Sequence, residues 1–196
     1  MLKKITLEEI CKCNTFREAL EVAYKENKKD IETGFLVQFN PQKNVIKINK
    51  PIKSTYIKVD LGDFKLYSYN LYAGKKGEGF YLEDGYHYLL HLHFHIPYST
   101  HLPSEQDIQT LRKTRNYNLE LAKKENFDYF INPLLVTLNK KREKNRKNER
   151  IDVCVATLID EFSLYCLFSL NKLEDLPTKL KQLEQLNISL YQEINP

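Results

Sequence analysis

All five histidines of this 196-residue chain, His87, His91, His93, His95 and His101, fall within a 15-residue window. Four of them occupy odd positions of a segment whose even positions are Tyr86, Tyr88, Leu90, Leu92, Phe94 and Ile96. Side chains of a strand alternate between its two faces, so the pattern predicts one apolar face and one face of imidazoles. Two imidazoles at i and i+2 stand about 6.5 to 7 Å apart along the backbone, and their rotamers can converge on one ion at ~2.0 to 2.1 Å. A catalytic zinc takes three protein ligands from nitrogen or oxygen and leaves one position for water. A histidine pair therefore needs a third ligand, and Asp107 is the best candidate. The strand breaks at Pro97, and a helix starting near Ser104 brings its first turn back over the strand end. Ser104-x-x-Asp107 also reads as a plain helix cap, and the histidines also read as a polar sheet face or as core residues satisfied by backbone groups.

The elements that must position these groups are legible in outline. Residues 15 to 28 carry Phe16, Ala19, Leu20, Ala23 and Tyr24 at the spacing of one helical face. Gly34 to Phe39 reads as a strand closed by Asn40-Pro41. Three more β-rich stretches follow at 44 to 49, 54 to 61 and 64 to 72, with Gly62 and Gly74 to Gly79 as punctuation. After the histidine strand, a helix is predicted from Ser104 to about Lys124, then strands over Phe127 to Leu138 and Ile151 to Leu170. Leu173, Leu176, Leu180, Leu183, Leu186 and Leu190 predict an amphipathic tail helix, packed on the domain or used to associate two copies. The fold class expected is α/β (α+β), a mixed sheet flanked by helices, with residues 1–170 as the domain and 171–196 as the tail.

Composition narrows the classes of function. The chain is 42% hydrophobic and 29% charged, an ordinary mix that supports one packed core and excludes a disordered tail. No apolar run approaches the ~18 residues of a membrane helix, and no h-region follows Met1, so a cytoplasmic protein that crosses no membrane is expected. The net charge of +4 is concentrated in 140–150, which holds seven basic and two acidic residues and reads as a solvated connecting loop. Nucleic acid is accordingly not the expected partner. Cys11, Cys13, Cys154 and Cys166 form no CxxC pair and read as free thiols.

The run from His93-Phe94-His95 to Ser104-Glu105-Gln106-Asp107 resembles the HxHP…SxxD signature of the JAMM metalloproteases, also called MPN+ or JAB domains. Glu32-Thr33-Gly34-Phe35-Leu36 is similar to that family's E-x-x-G-[LI]-L segment, with one residue fewer before the glycine. The order of helix, glutamate, strands, HxH, SxxD and helix matches the family's cytidine-deaminase-like sandwich over roughly 10–170. Ile96 stands where the family has proline, and the loop to Ser104 is one residue longer. The resemblance implies His93, His95 and Asp107 as ligands of Zn2+, Glu32 as the proton acceptor and donor, and Ser104 as an oxyanion donor. It further implies an isopeptidase acting after the Gly-Gly tail of ubiquitin or a ubiquitin-like protein. The alternatives within the same resemblance are an inactive MPN-type scaffold and a RadC-like protein associated with nucleic acid. His87 and His91 are read as structural.

Overall fold

The computed structural model describes residues 4–28, 31–61, 64–70, 85–97, 99–142, 149–159, 162–185 and 188–194. Thr6 and Glu9 form a reciprocal capping box that starts α1 (Leu7–Lys12). This helix was not anticipated, because six residues are too short for a periodic apolar signal. Next comes α2 (Asn14–Glu26), which buries Phe16, Ala19, Leu20 and Ala23 along the predicted face.

The sheet is built on β1 (Thr33–Asn40), all eight residues of which are buried. Antiparallel to it, on the same edge, run β2 (Val45–Ile48) and β3 (Ile52–Lys53). A separate antiparallel hairpin follows, β4 (Thr55–Leu61) with β5 (Phe64–Asn70). On the other side of β1 lies the histidine strand, β6 (His87–Phe94), also antiparallel. The chain then passes through α3 (Glu105–Lys124) and β7 (Tyr129–Ile131) to β8 (Leu134–Arg142), which pairs with β6 in parallel. A parallel neighbour requires a crossover, and α3 is that crossover. The strands β9 (Glu149–Ile159) and β10 (Phe162–Leu170) extend the sheet antiparallel, giving the order β10-β9-β8-β6-β1-β2. Last come α4 (Leu176–Gln185) and β11 (Tyr191–Glu193), which pairs with β7.

The sheet is therefore mixed and flanked by helices on both faces. On one face, side chains of α1, α2 and α4 join Phe35, Val37, Leu92, Val136 and Val153 in the main core. On the other, Leu111 of α3 packs with Leu135, Ala156 and Leu158. Among the described residues no helix is long and apolar enough to cross a membrane.

Three expectations are corrected. The stretch 127–138 is two strands in different sheets, parted at Asn132-Pro133, since proline has no amide to continue a ladder. The described ends of the basic segment, 140–142 and 149–150, are strand and not loop, with Lys141 opposite Arg150 and Arg142 opposite Glu149. Its first cation is internal: Lys140 is buried and donates to the carbonyls of Tyr24 at 2.6 Å and Asn27 at 2.8 Å. The ammonium also sits 4.0 Å from the centre of the Tyr24 ring. Among the described residues the tail is a 3-10 turn at Leu173–Asp175, an α-helix over Leu176–Gln185 and a short strand at Tyr191–Glu193, while Leu173, Leu176, Leu180, Leu183 and Leu190 all enter the main core. Positions 71–72, Gly62, Gly74 to Gly79, 143–148 and Leu186 lie outside the described residues.

Two outcomes are expected. Replacement Lys140→Met keeps the apolar stem but leaves two buried carbonyls without their donor, so urea unfolding should show a loss of about 1–3 kcal/mol. His87, buried at the start of β6 beside Glu125, has its pKa lowered to about 4 by burial. The unfolded chain then takes up this proton first, near pH 6.5, so stability falls as pH drops from 6.5 towards 4, by up to about 3 kcal/mol. In His87→Phe, stability measured across that window should decline less steeply.

Candidate metal centre

The position of His93 depends on a close approach between strands. Gly34 of β1 lies directly opposite His93 of β6. A Cβ at residue 34 would stand 2.6 Å from both the His93 Cβ and the Leu92 carbonyl oxygen, so only glycine allows this spacing. Past the end of β6 the chain stays on β8, as the His95 amide donates to the Leu138 carbonyl at 2.8 Å. His95 Nδ1 lies 2.8 Å from the Thr100 carbonyl, which selects the tautomer protonated there and leaves Nε2 as a lone pair. Both rings are buried, which excludes a water-facing sheet surface.

Asp107 enters from the first turn of α3. Ser104 caps that helix: its hydroxyl accepts from the Asp107 amide at 3.2 Å, while Asp107 Oδ2 accepts from the Ser104 amide at 2.8 Å and its hydroxyl at 2.7 Å. The capping box and the ligand reading thus coexist, because the cap orients the carboxylate. Asp107 Oδ1 is 3.6 Å from His93 Nε2, and Oδ2 is 3.7 Å from His95 Nε2.

The two imidazole Nε2 atoms are 2.8 Å apart, a separation that two lone pairs tolerate only with a proton or a cation between them. Donor atoms of the three residues all lie within 4.8 Å of one another. Tetrahedral ligands at 2.0 to 2.1 Å stand ~3.3 Å from each other, so separations of 2.8, 3.6 and 3.7 Å bracket what one ion requires. The group could hold a divalent metal ion. Electrostatics fit the same role. Burial opposes the Asp107 charge, but His93, His95 and Ser104 hold its carboxyl well below the usual range. Burial, reinforced by the neighbouring histidines, keeps His93 neutral at physiological pH. For His95 burial is outweighed by Asp107, Glu32 and the Thr100 carbonyl, and its pKa rises.

Glu32 sits just before β1, half-buried, with its amide donating to Ser54 Oγ at 3.1 Å. Burial pushes its pKa up to about 7; the His95 charge and the Ile96 amide oppose the rise, and the Asp107 charge adds to it. The carboxyl is thus within electrostatic reach of the cluster without being one of its three donors. Ile96 supplies an N–H that proline in the same place would lack.

Several positioning residues were not found from sequence. The Asn27 side-chain amide, at the end of α2, donates to the carbonyls of Ile31 at 2.9 Å and His95 at 3.0 Å, tying the Glu32 strap to the histidine strand. Asn139 donates to the carbonyls of Ile96 at 2.7 Å and Thr100 at 3.2 Å, and Thr137 to that of His101. Lys141 reaches the Ser99 carbonyl. Alternate residues of β8 therefore hold the long loop. Of the remaining histidines, His91 lies against His93, ring centres 4.8 Å apart, and faces a cavity of about 320 Å³ that also touches Asp107, Thr110, Lys113 and Tyr117. His87 is at the far end of β6, and His101 is in the loop.

No protein-family model matches this chain, and no curated protein does.

A metal titration of purified protein should find one divalent ion per chain. His95→Ala and Asp107→Asn should each weaken binding by tenfold or more, and Gly34→Ala should do so without removing any ligand, by displacing His93.

Proposed function

We propose that the chain is a zinc-dependent amide hydrolase of the JAMM type, cleaving after the Gly-Gly tail of ubiquitin or a ubiquitin-like protein. The observation that carries this reading is the meeting of His93, His95 and Asp107 at one point, with the Glu32 carboxyl close enough to His95 and Asp107 to respond to their charge. Two imidazoles and one carboxylate suit zinc, and three protein ligands suit a catalytic site better than a closed structural one. The mixed sheet with helices on both faces is compatible with a JAB/MPN sandwich.

A zinc ion held there would act as a Lewis acid and bring the pKa of water towards ~7. Glu32 accepts the proton of the attacking water and returns it to the departing amine, a task suited to a carboxyl whose pKa is about 7. Burial of Glu32 keeps its proton affinity high; Asn27 donates to the Ile31 carbonyl before it, and the Ser54 amide donates to the Glu32 carbonyl at 2.8 Å. Ser104 has a single hydroxyl proton, directed to Asp107 Oδ2. To stabilise a developing oxyanion it turns that proton away, while its amide keeps Asp107 in place. The cavity beside His91 and Asp107 offers room for the substrate on the α3 side.

Three cations of the basic segment have partners within the chain. Lys140 serves α2 carbonyls, Lys141 the loop at Ser99, and Arg150 pairs with Asp152 at 2.8 Å.

Zinc-loaded protein should release diglycine-terminated ubiquitin or ubiquitin-like substrates, and chelation should abolish the activity. Glu32→Gln should keep one zinc per chain yet lose activity by about 10²–10⁴-fold. Full activity in this variant would overturn the assignment of Glu32, and no cleavage of any tail in the panel would overturn the substrate class.

A further inference from the structure

The two edges of the main sheet are unlike. At one, β2 is four residues long and carries Lys47, as protected edges commonly do. At the other, β10 runs for nine residues, Phe-Ser-Leu-Tyr-Cys-Leu-Phe-Ser-Leu, without a charge, a proline or a glycine. It pairs with β9 in unbroken register from Phe162 to Leu170. Among the described residues no strand pairs with its outer side, and no further backbone hydrogen bond uses its amides or carbonyls. The helices do not reach this far: Phe162 is 80% exposed, Leu167 55%, Tyr165 46% and Leu164 39%. Such an edge is a template for another strand.

Its sequence also specifies which strand. Read from the middle residue, Cys166, the strand has the same classes in both directions: Tyr165 and Leu167, Leu164 and Phe168, Ser163 and Ser169, Phe162 and Leu170. An antiparallel pairing of two identical strands over their full length centres on the middle residue and sets each of these against its counterpart. Apolar meets apolar on both faces, serine meets serine, and no like charges are opposed. The four exposed side chains alone offer roughly 400 Å² per chain. With one edge of the strand backbone added, the contact is a small one, below the ~800 Å² per partner of a standard interface, in which the ladder of main-chain hydrogen bonds sets the pairing.

We propose that the protein forms a two-fold dimer in which β10 pairs antiparallel with β10 of a second copy, centred on Cys166, joining the two sheets into one. The contact is isologous and closes on itself. It is separated from β6, the strand of His93, by β9 and β8, at the opposite edge from β2.

Sedimentation equilibrium of the full chain should give twice the 23.3 kDa chain mass. The double substitution Tyr165→Lys with Leu167→Lys places like charges opposite one another on both sides of the axis. It should raise the dimer dissociation constant by about a hundredfold or more. Both positions are exposed, so folding, checked by circular dichroism, should be unchanged. Independently, a short bis-maleimide should link two chains through Cys166, whose Cα atoms would stand about 4.5 to 5.5 Å apart. The linked species should disappear in Cys166→Ala. A monomer at tens of micromolar, a dimer that survives the two lysines, or a cross-link indifferent to Cys166 would each overturn the proposal. The cross-link decides the matter even if the lysine variant does not fold.

Discussion

The structure turns on the contact between Gly34 and His93. Two strands that are 59 positions apart in the chain meet there with no room for a side chain on one of them, and the imidazole occupies the space so released. That contact sets the register of β1 on β6, which decides the face on which the histidines lie. It also places the residue two before the glycine, Glu32, at the same end of the sheet as His95. A slip of one position would turn every histidine of β6 to the opposite face of the sheet.

Around this contact the fold supplies a set of ties that share one purpose. Asn27 joins the segment before β1 to the end of β6; Thr33 donates to the Ala23 carbonyl at 2.6 Å; Thr137 and Asn139 hold the loop that leads to α3. Each donates to backbone carbonyls at the end of α2 or around the loop between β6 and α3. The side-chain amides of Asn27 and Asn139 and the hydroxyls of Thr33 and Thr137 thus give their buried donors partners, and these bonds position the backbone that carries the cluster.

What could be read from the sequence was what repeats locally. The alternation of β6 from Leu90 to Phe94, the long run of α3 and the buried length of β1 all carry a period, and the bounds of these elements agree with expectation to within one or two residues. At Leu89 an irregularity in the pairing with β1 breaks the alternation, so that Leu89 joins Leu90 in the main core and Tyr88 lines the cavity beside His91. The candidate ligands were legible as well, because His93, His95 and Asp107 are chemically marked and their spacing fits a strand, a loop and a helix start. The ties were not legible. Asn27, Thr137 and Asn139 are common residues whose partners are decided only in three dimensions. Lys140 misled for a related reason: a cation within a charged run looks solvated until the free carbonyls at the end of α2 are seen beside it. The tail misled differently, since its leucine spacing runs up to Leu190, immediately before a strand that pairs with β7.

The parallel pairing of β6 with β8 has an electrical consequence. It obliges α3 to run back across the sheet so that its first turn, and with it the positive end of a 20-residue helix macrodipole, is aimed at the imidazole pair. Asp107 is therefore an anion by position as well as by partnership. With one negative and two neutral donors, any divalent cation seated among them keeps a residual unit of positive charge, and the site remains an electron acceptor towards whatever oxygen approaches from the open side.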